Sequence, residues 1–164
     1  PCDGTCLKCY LHGEPWRIIT TCFPNLTKIA TGRNTDLDDS NLAMHIEAVT
    51  DNLPTMEHLE LGLSFVHGSD KGVCAVASKC RQLKVLKMNG WKLTNKSVEA
   101  VLTQCPRLVI FAINYSDLVT GEISISAGIR HTSLDELSLM RAGVTDSGLA
   151  AMAATSDRCV AASV

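Results

Sequence analysis

The sequence predicts an α/β fold: a right-handed, horseshoe-like solenoid with one parallel sheet of about six or seven short strands and helices or short turns on its convex side. Two observations lead there. The first is the pattern L-x-x-L-x-L, whose first apolar position falls at Cys6, Leu26, Met56, Leu83, Leu108, Leu134 and Cys159. The steps between these are 20, 30, 27, 25, 26 and 25 residues. The second is helical spacing in the intervening stretches, clearest at Leu93, Val98, Val101 and Cys105. Such side chains share one stripe of a helix. A strand-plus-helix unit of this size cannot bury its apolar side alone, so copies must stack.

Taken in order, the inward triplets are Cys6/Cys9/Leu11, Leu26/Ile29/Thr31, Met56/Leu59/Leu61, Leu83/Leu86/Met88, Leu108/Phe111/Ile113, Leu134/Leu137/Leu139 and Cys159/Ala162/Val164. The last two positions of each alternate as an extended segment with one buried face does. Glu14 to Thr21 reads as a short convex segment, with Pro15 suited to a first helical turn. Asp38, Asp39 or Ser40 is placed to cap a helix carrying Leu42, Ile46, Val49 and Leu53. Val73, Val76 and Cys80 mark the next helical face. The run after Ile113, with two glycines and a cluster of Ile, predicts a short 3₁₀ or irregular turn. Thr145 or Asp146 then caps a helix carrying Leu149 and Met152.

The run LTNKSVEAVLTQCPRL from Leu93, and VTDSGLAAM from Val144, resembles the cysteine-containing subclass of leucine-rich repeats. That subclass is best known from F-box substrate receptors of ubiquitin ligases. The resemblance covers nearly the whole chain. It implies a protein-binding module, with a substrate-recognition role in a ubiquitin-ligase-type assembly as its narrower form. No L-P-x-E-x-L run of an F-box precedes the repeats; Leu53-Pro54 falls inside one. The resemblance also implies buried thiols just before strands, at Cys2, Cys22, Cys80 and Cys105.

Composition sets the bounds. The 164 residues are 46% hydrophobic and 20% charged, which fits one packed domain over residues 1–164 and disfavours disorder. The ends carry no recognisable polar cap, which suggests a segment of a longer protein or ends covered by partners. Fifteen basic and seventeen acidic residues leave a formal charge of −2, so nothing points to nucleic acid. No apolar run is long enough to span a membrane. Eight cysteines read as small buried hydrophobes, which places the protein, thiols reduced, inside the cell. Three glycosylation sequons, at Asn25, Asn95 and Asn114, point the other way.

Catalytic patterns are missing: the five histidines show no H-E-x-x-H spacing, and there is no nucleophile elbow or phosphate loop. The expectation is therefore a non-enzyme without cofactor. Cys2, Cys6, Cys9 and His12 read C-x3-C-x2-C-x2-H, a set of zinc-ligand types. With Cys6 and Cys9 turned inward on a strand, however, His12 turns outward, so no metal is expected.

The working surface is expected on the concave sheet, on the residues between and just after the buried ones. These are Lys28, Ala30, Gly32 and Arg33; His58, Glu60, Gly62 and Leu63; Val85, Lys87, Asn89 and Gly90; Ile110, Ala112, Asn114 and Tyr115; and Glu136, Ser138, Met140 and Arg141. The partner-binding set drawn from them is Arg33, His58, Glu60, Leu63, Val85, Lys87, Asn89, Ile110, Asn114, Tyr115, Met140 and Arg141. Val85 and Ile110 are expected side by side, with Leu63, Tyr115 and Met140 nearby, flanked by Lys87 and Arg141. Adjoining apolar and aromatic groups rimmed by cations are what an interface centre needs. Trp91 is either a buried wedge or an anchor at the rim. A structural subunit with its ends packed on other proteins is the alternative to a receptor.

Overall fold

The computed structural model describes residues 6–9, 21–31, 54–61, 69–89, 92–123, 133–154 and 161–163. Within them lie seven strands: β1 (Cys6–Cys9), β2 (Lys28–Thr31), β3 (His58–Glu60), β4 (Val85–Asn89), β5 (Ile110–Asn114), β6 (Glu136–Ser138) and β7 (Ala161–Ser163). Three helices accompany them: α1 (Asp70–Lys79), α2 (Asn95–Gln104) and α3 (Asp146–Ala153). The strands form one sheet in sequence order, every pair parallel. This is an α/β architecture in which each strand lies beside the one before it.

The register follows the apolar pattern. Ile29, Leu59, Leu86, Phe111, Leu137 and Ala162 are successive partners across the sheet. Leu59, Leu86, Phe111 and Leu137 are 1%, 0%, 0% and 3% exposed, so the predicted middle positions form one buried row. Met56, Leu83, Leu108 and Leu134 make a second row, and Leu61, Met88, Ile113 and Leu139 a third; all are buried. A one-residue slip in any strand would turn its row outward, which is why the burial of one face fixes the register so firmly.

Strand entry repeats the same hydrogen bonds. At each rung two consecutive N–H groups donate to a single carbonyl of the rung before: Glu57 and His58 to Thr27, Lys84 and Val85 to Glu57, Val109 and Ile110 to Lys84, and Asp135 and Glu136 to Val109. The distances run from 2.7 to 3.0 Å. Equal geometry at four successive rungs is what a sequence repeat written into the backbone looks like.

The helices cover the buried face. Val73, Val76 and Ala77 of α1, Val98, Val101 and Leu102 of α2, and Met152 of α3 join the strand side chains in one apolar cluster. Burying one such aliphatic side chain fully contributes about 1.5–3 kcal/mol. Helices α1 and α2 end alike: Cys80 N–H donates to Val76 O and Cys105 N–H to Val101 O, and both thiols are buried. Burial pushes the Cys80 thiol up to about 11 and the Cys105 thiol up to about 12.

Three expectations need correction. Cys22 is exposed. The turn that precedes β2 closes from Phe23 O to Leu26 N–H, with the same three-residue span as Cys80 to Leu83 and Cys105 to Leu108. Phe23, itself exposed, therefore holds the equivalent backbone position, and Cys22 lies one residue before it. In β1, Leu7 and not Cys9 stands beside Ile29, a shift of two residues from the expected alignment of Cys6 with Leu26. Cys6 and Cys9 are thus both within β1, and the inward triplet built on them does not hold. In α3, Leu149 is 38% exposed, and Gly148 lies buried in its place. A Cβ on Gly148 would fall 1.9 Å from Thr120 O, so the helix approaches the preceding loop backbone too closely for any side chain. Thr145 is the cap of α3 as expected, accepting from Gly148 N–H at 3.0 Å.

A polar ladder ties the helix starts together. Asp70, in the first turn of α1, accepts from Thr94 N–H at 2.9 Å and Thr94 Oγ1 at 2.7 Å, and also from Ser97 Oγ. Thr94 caps α2. Asn95, one rung on, accepts through Oδ1 from Thr120 N–H and Gly121 N–H, and donates through Nδ2 to Thr120 Oγ1 and Glu122 O. Glu122 in turn accepts from Ser147 Oγ at 3.0 Å. With Nδ2 of Asn95 donating twice, its sequon is committed to the fold and leaves no hydrogen for a glycan. The expected segments around Pro15, Asp38, Leu42 to Leu53, Trp91 and residues 124–132 lie outside the described residues.

Candidate functional site on the open sheet face

The side chains that alternate with the buried rows point away from the helices. No described helix or strand covers them. The register sorts them into rows across the sheet. The first is Lys28, His58, Val85, Ile110 and Glu136; the second Ala30, Glu60, Lys87, Ala112 and Ser138; the third includes the paired Asn89 and Asn114.

Val85 and Ile110 are direct neighbours, as expected, and both are half-buried. Ala112 is only 6% exposed, because its short side chain lies between Lys87 and Ser138. Lys84 and Glu57, just ahead of their strands, form an exposed ion pair at 2.8 Å. His58 Nε2 is buried without a hydrogen-bond partner, 3.6 Å from Glu60 Oε2. Burial holds the imidazole below its usual pKa, with Lys28 and Lys87 adding to the shift and Glu60 opposing it.

The face has two groups of side chains. Tyr115 lies just past the end of β5, five residues after Ile110, which opens that strand. One cluster, at the strand starts, is apolar (Val85, Ile110) between His58 and Glu136. The other, at the strand ends, is polar: Asn89, Asn114, Tyr115, Met140 and Arg141.

This second cluster has three unusual features. Asn89 and Asn114 are register partners, and Oδ1 of each is buried with no hydrogen-bond partner. An unmet acceptor of this kind costs about 1–3 kcal/mol. Tyr115 and Arg141 have φ of 59° and 53°, the left-handed region that larger residues enter at a cost of about 1–2 kcal/mol. They hold equivalent places on adjacent rungs, since Tyr115 N–H donates to Met140 O and Ser116 N–H to Arg141 O. Finally, the Arg141 guanidinium lies 5.2 Å from the centre of the Tyr115 ring, a cation–π contact. Met140, beside them, is 46% exposed.

Of the expected binding set, Arg33 and Leu63 lie outside the described residues, as do Cys2 and His12 of the zinc pattern. Among the described residues no group of three or more His, Cys, Asp or Glu could hold a metal ion. Cys22, Cys74, Cys80 and Cys105 are not joined in disulfides. No described helix is long and apolar enough to cross a membrane.

Sequence reasoning missed the ladder of Asp70, Thr94, Asn95 and Thr120. A signal was present: Ser69-Asp70, Thr94-Asn95, Thr120-Gly121 and Thr145-Asp146 recur at steps of 25, 26 and 25 residues. It also missed the left-handed residues, because only glycine advertises that conformation. No family model matches the sequence.

Proposed function

We propose that the protein is a leucine-rich-repeat-type solenoid that binds a protein partner on its open, concave sheet face. The observation that carries this is the asymmetry of the two faces. One is sealed by three helices over continuous buried rows. The other presents half-buried apolar and polar side chains in ordered rows, including orphaned carboxamides and a strained Tyr–Arg pair. Mixed apolar and polar groups with an aromatic and an arginine are the composition of interface centres. A substrate-recognition role in a ubiquitin-ligase-type assembly is the narrower form of the proposal and rests on the sequence resemblance alone.

Site-directed photo-crosslinking tests the proposal. A photoreactive residue at Lys87 or Ser138, on the open face, is expected to capture the same discrete protein from cell extract. The same residue at Lys71 or Thr103, exposed on α1 and α2, is expected not to capture it. Capture from the helix positions alone, or from none, rejects the open face as the working surface.

A further inference from the structure

We infer that the strand-end corner of the open face, Asn89, Asn114, Tyr115 and Arg141, recognises a carboxylate-bearing peptide segment of the protein partner, with Arg141 as the anchor and Tyr115 as its platform. The inference rests on the binding role proposed above and names the chemistry of its ligand.

Three observations carry it. The first is backbone conformation. In the sequence Asn89 is followed by Gly90, the residue type best suited to a left-handed φ, whereas Asn114 and Met140 are followed by Tyr115 and Arg141, which adopt that φ with larger side chains. Packing does not demand the arginine, since Arg141 is exposed. Strain retained at a side chain that the core does not use points to recognition.

The second is charge. Arg141 makes no ion pair with any described residue: neither Asp117, in the turn after Tyr115, nor Glu136, at the start of β6, reaches it. It lies over the Tyr115 ring at 5.2 Å, a contact that uses the charge of the guanidinium and not its N–H donors, which a planar acceptor can take. A carboxylate meets that fork with two parallel hydrogen bonds. Lys87, one row inward, adds a second positive charge; Glu60 is beside Lys87, on the side away from Arg141.

The third is the carboxamide pair. Asn89 and Asn114 stand side by side with their Oδ1 atoms unmet. A half-turn about χ2 exchanges Oδ1 with Nδ2, so each can offer an acceptor to a backbone N–H or a donor to a backbone carbonyl. Two such groups on adjacent strands suit an extended segment lying across the sheet. Such a segment supplies both kinds of backbone group, and its acidic side chain or its terminal carboxyl supplies the carboxylate.

The test is a random dodecapeptide display library panned against the intact protein, followed by fluorescence polarisation with selected peptides. The selected peptides are expected to share an Asp, a Glu or a free C-terminus. Replacing that carboxylate by its amide should weaken binding at least tenfold. Arg141→Gly and Tyr115→Gly should weaken it similarly while leaving the thermal midpoint unchanged or raised, because glycine relieves the left-handed backbone. Lys71→Ala should have no effect. Selection of peptides without a carboxylate, equal binding of the amide form, or full binding by Arg141→Gly overturns the inference. If crosslinking at Lys87 still captures its partner in that event, the open-face reading stands and only this corner's role falls; if both fail, both fall.

Discussion

Replacing Asp70 by alanine tests whether the ladder of helix starts holds adjacent rungs together. The carboxylate accepts hydrogen bonds from Thr94 N–H, Thr94 Oγ1 and Ser97 Oγ. Thr94 is half-buried and can turn to water, but Ser97 is 0% exposed and cannot. A hydrogen bond to a charged group is worth about 1.5–3 kcal/mol, and an orphaned buried donor costs about 1–3 kcal/mol. Discounting the solvent-accessible Thr94 bonds, Asp70→Ala is expected to cost about 2–4 kcal/mol in urea or thermal unfolding. Adding Ser97→Ala removes the orphaned hydroxyl, so the double variant should be more stable than the sum of the single losses implies, by about 1 kcal/mol. The pH dependence has a definite sign. Burial pushes the Asp70 carboxyl up, but the hydrogen bonds from Ser97 and Thr94, with help from Lys96, outweigh it and hold the group below its ordinary pKa. A depressed folded pKa means the contribution is complete above the unfolded value of about 3.9 and is lost as the pH falls from there through the folded value. The gap between wild type and Asp70→Ala should therefore narrow in acid. A loss under about 0.5 kcal/mol, the size of an ordinary surface change, or strict additivity with Ser97→Ala, would refute the reasoning.

Other outcomes follow from the same structure. Leu86→Ala, at a fully buried mid-row position, should cost about 2–5 kcal/mol in chemical denaturation, whereas an effect below about 1 kcal/mol would place the side chain outside the core. Gly148→Ala should lower the thermal midpoint by several degrees, since its Cβ would meet Thr120 O at 1.9 Å and Gly121 C at 2.8 Å; an unchanged midpoint would mean α3 does not press on that loop. At pH 8, peptide-resolved mass spectrometry should find Cys22 alkylated rapidly and Cys80 and Cys105 spared, because these two are buried and held protonated by pKa values of about 11 and about 12. Equal labelling rates would show that the helix ends open freely.

The apolar rows were legible in the sequence because they obey a local rule. Leu59, Leu86, Phe111 and Leu137 hold the same place in a recurring pattern, and burial of one face leaves a strand no second register. The strands are parallel and pair in sequence order, and each carries the apolar pattern at a similar spacing from the last. Where the pattern was thin, as at Cys6 and Cys9, an alignment off by two residues looked equally good. At Cys22 the error was a single residue, decided by a turn hydrogen bond that composition does not encode.

The candidate site was legible as a face but not as a place. Alternation named Lys87, Asn89, Ile110 and Asn114 as outward-facing, yet could not say that Asn89 and Asn114 leave their Oδ1 atoms without hydrogen-bond partners. What one position dictates to its near neighbours, the sequence alone determined: alternation, helical spacing, and therefore the buried rows. Tertiary structure decided whatever depends on contact between rungs: the left-handed turns of Tyr115 and Arg141, the guanidinium over the ring, and Asp70 reaching into the next helix. The difference is physical, because periodicity is a property of the backbone, while a contact across some 25 residues exists only once stacking has brought its two ends together.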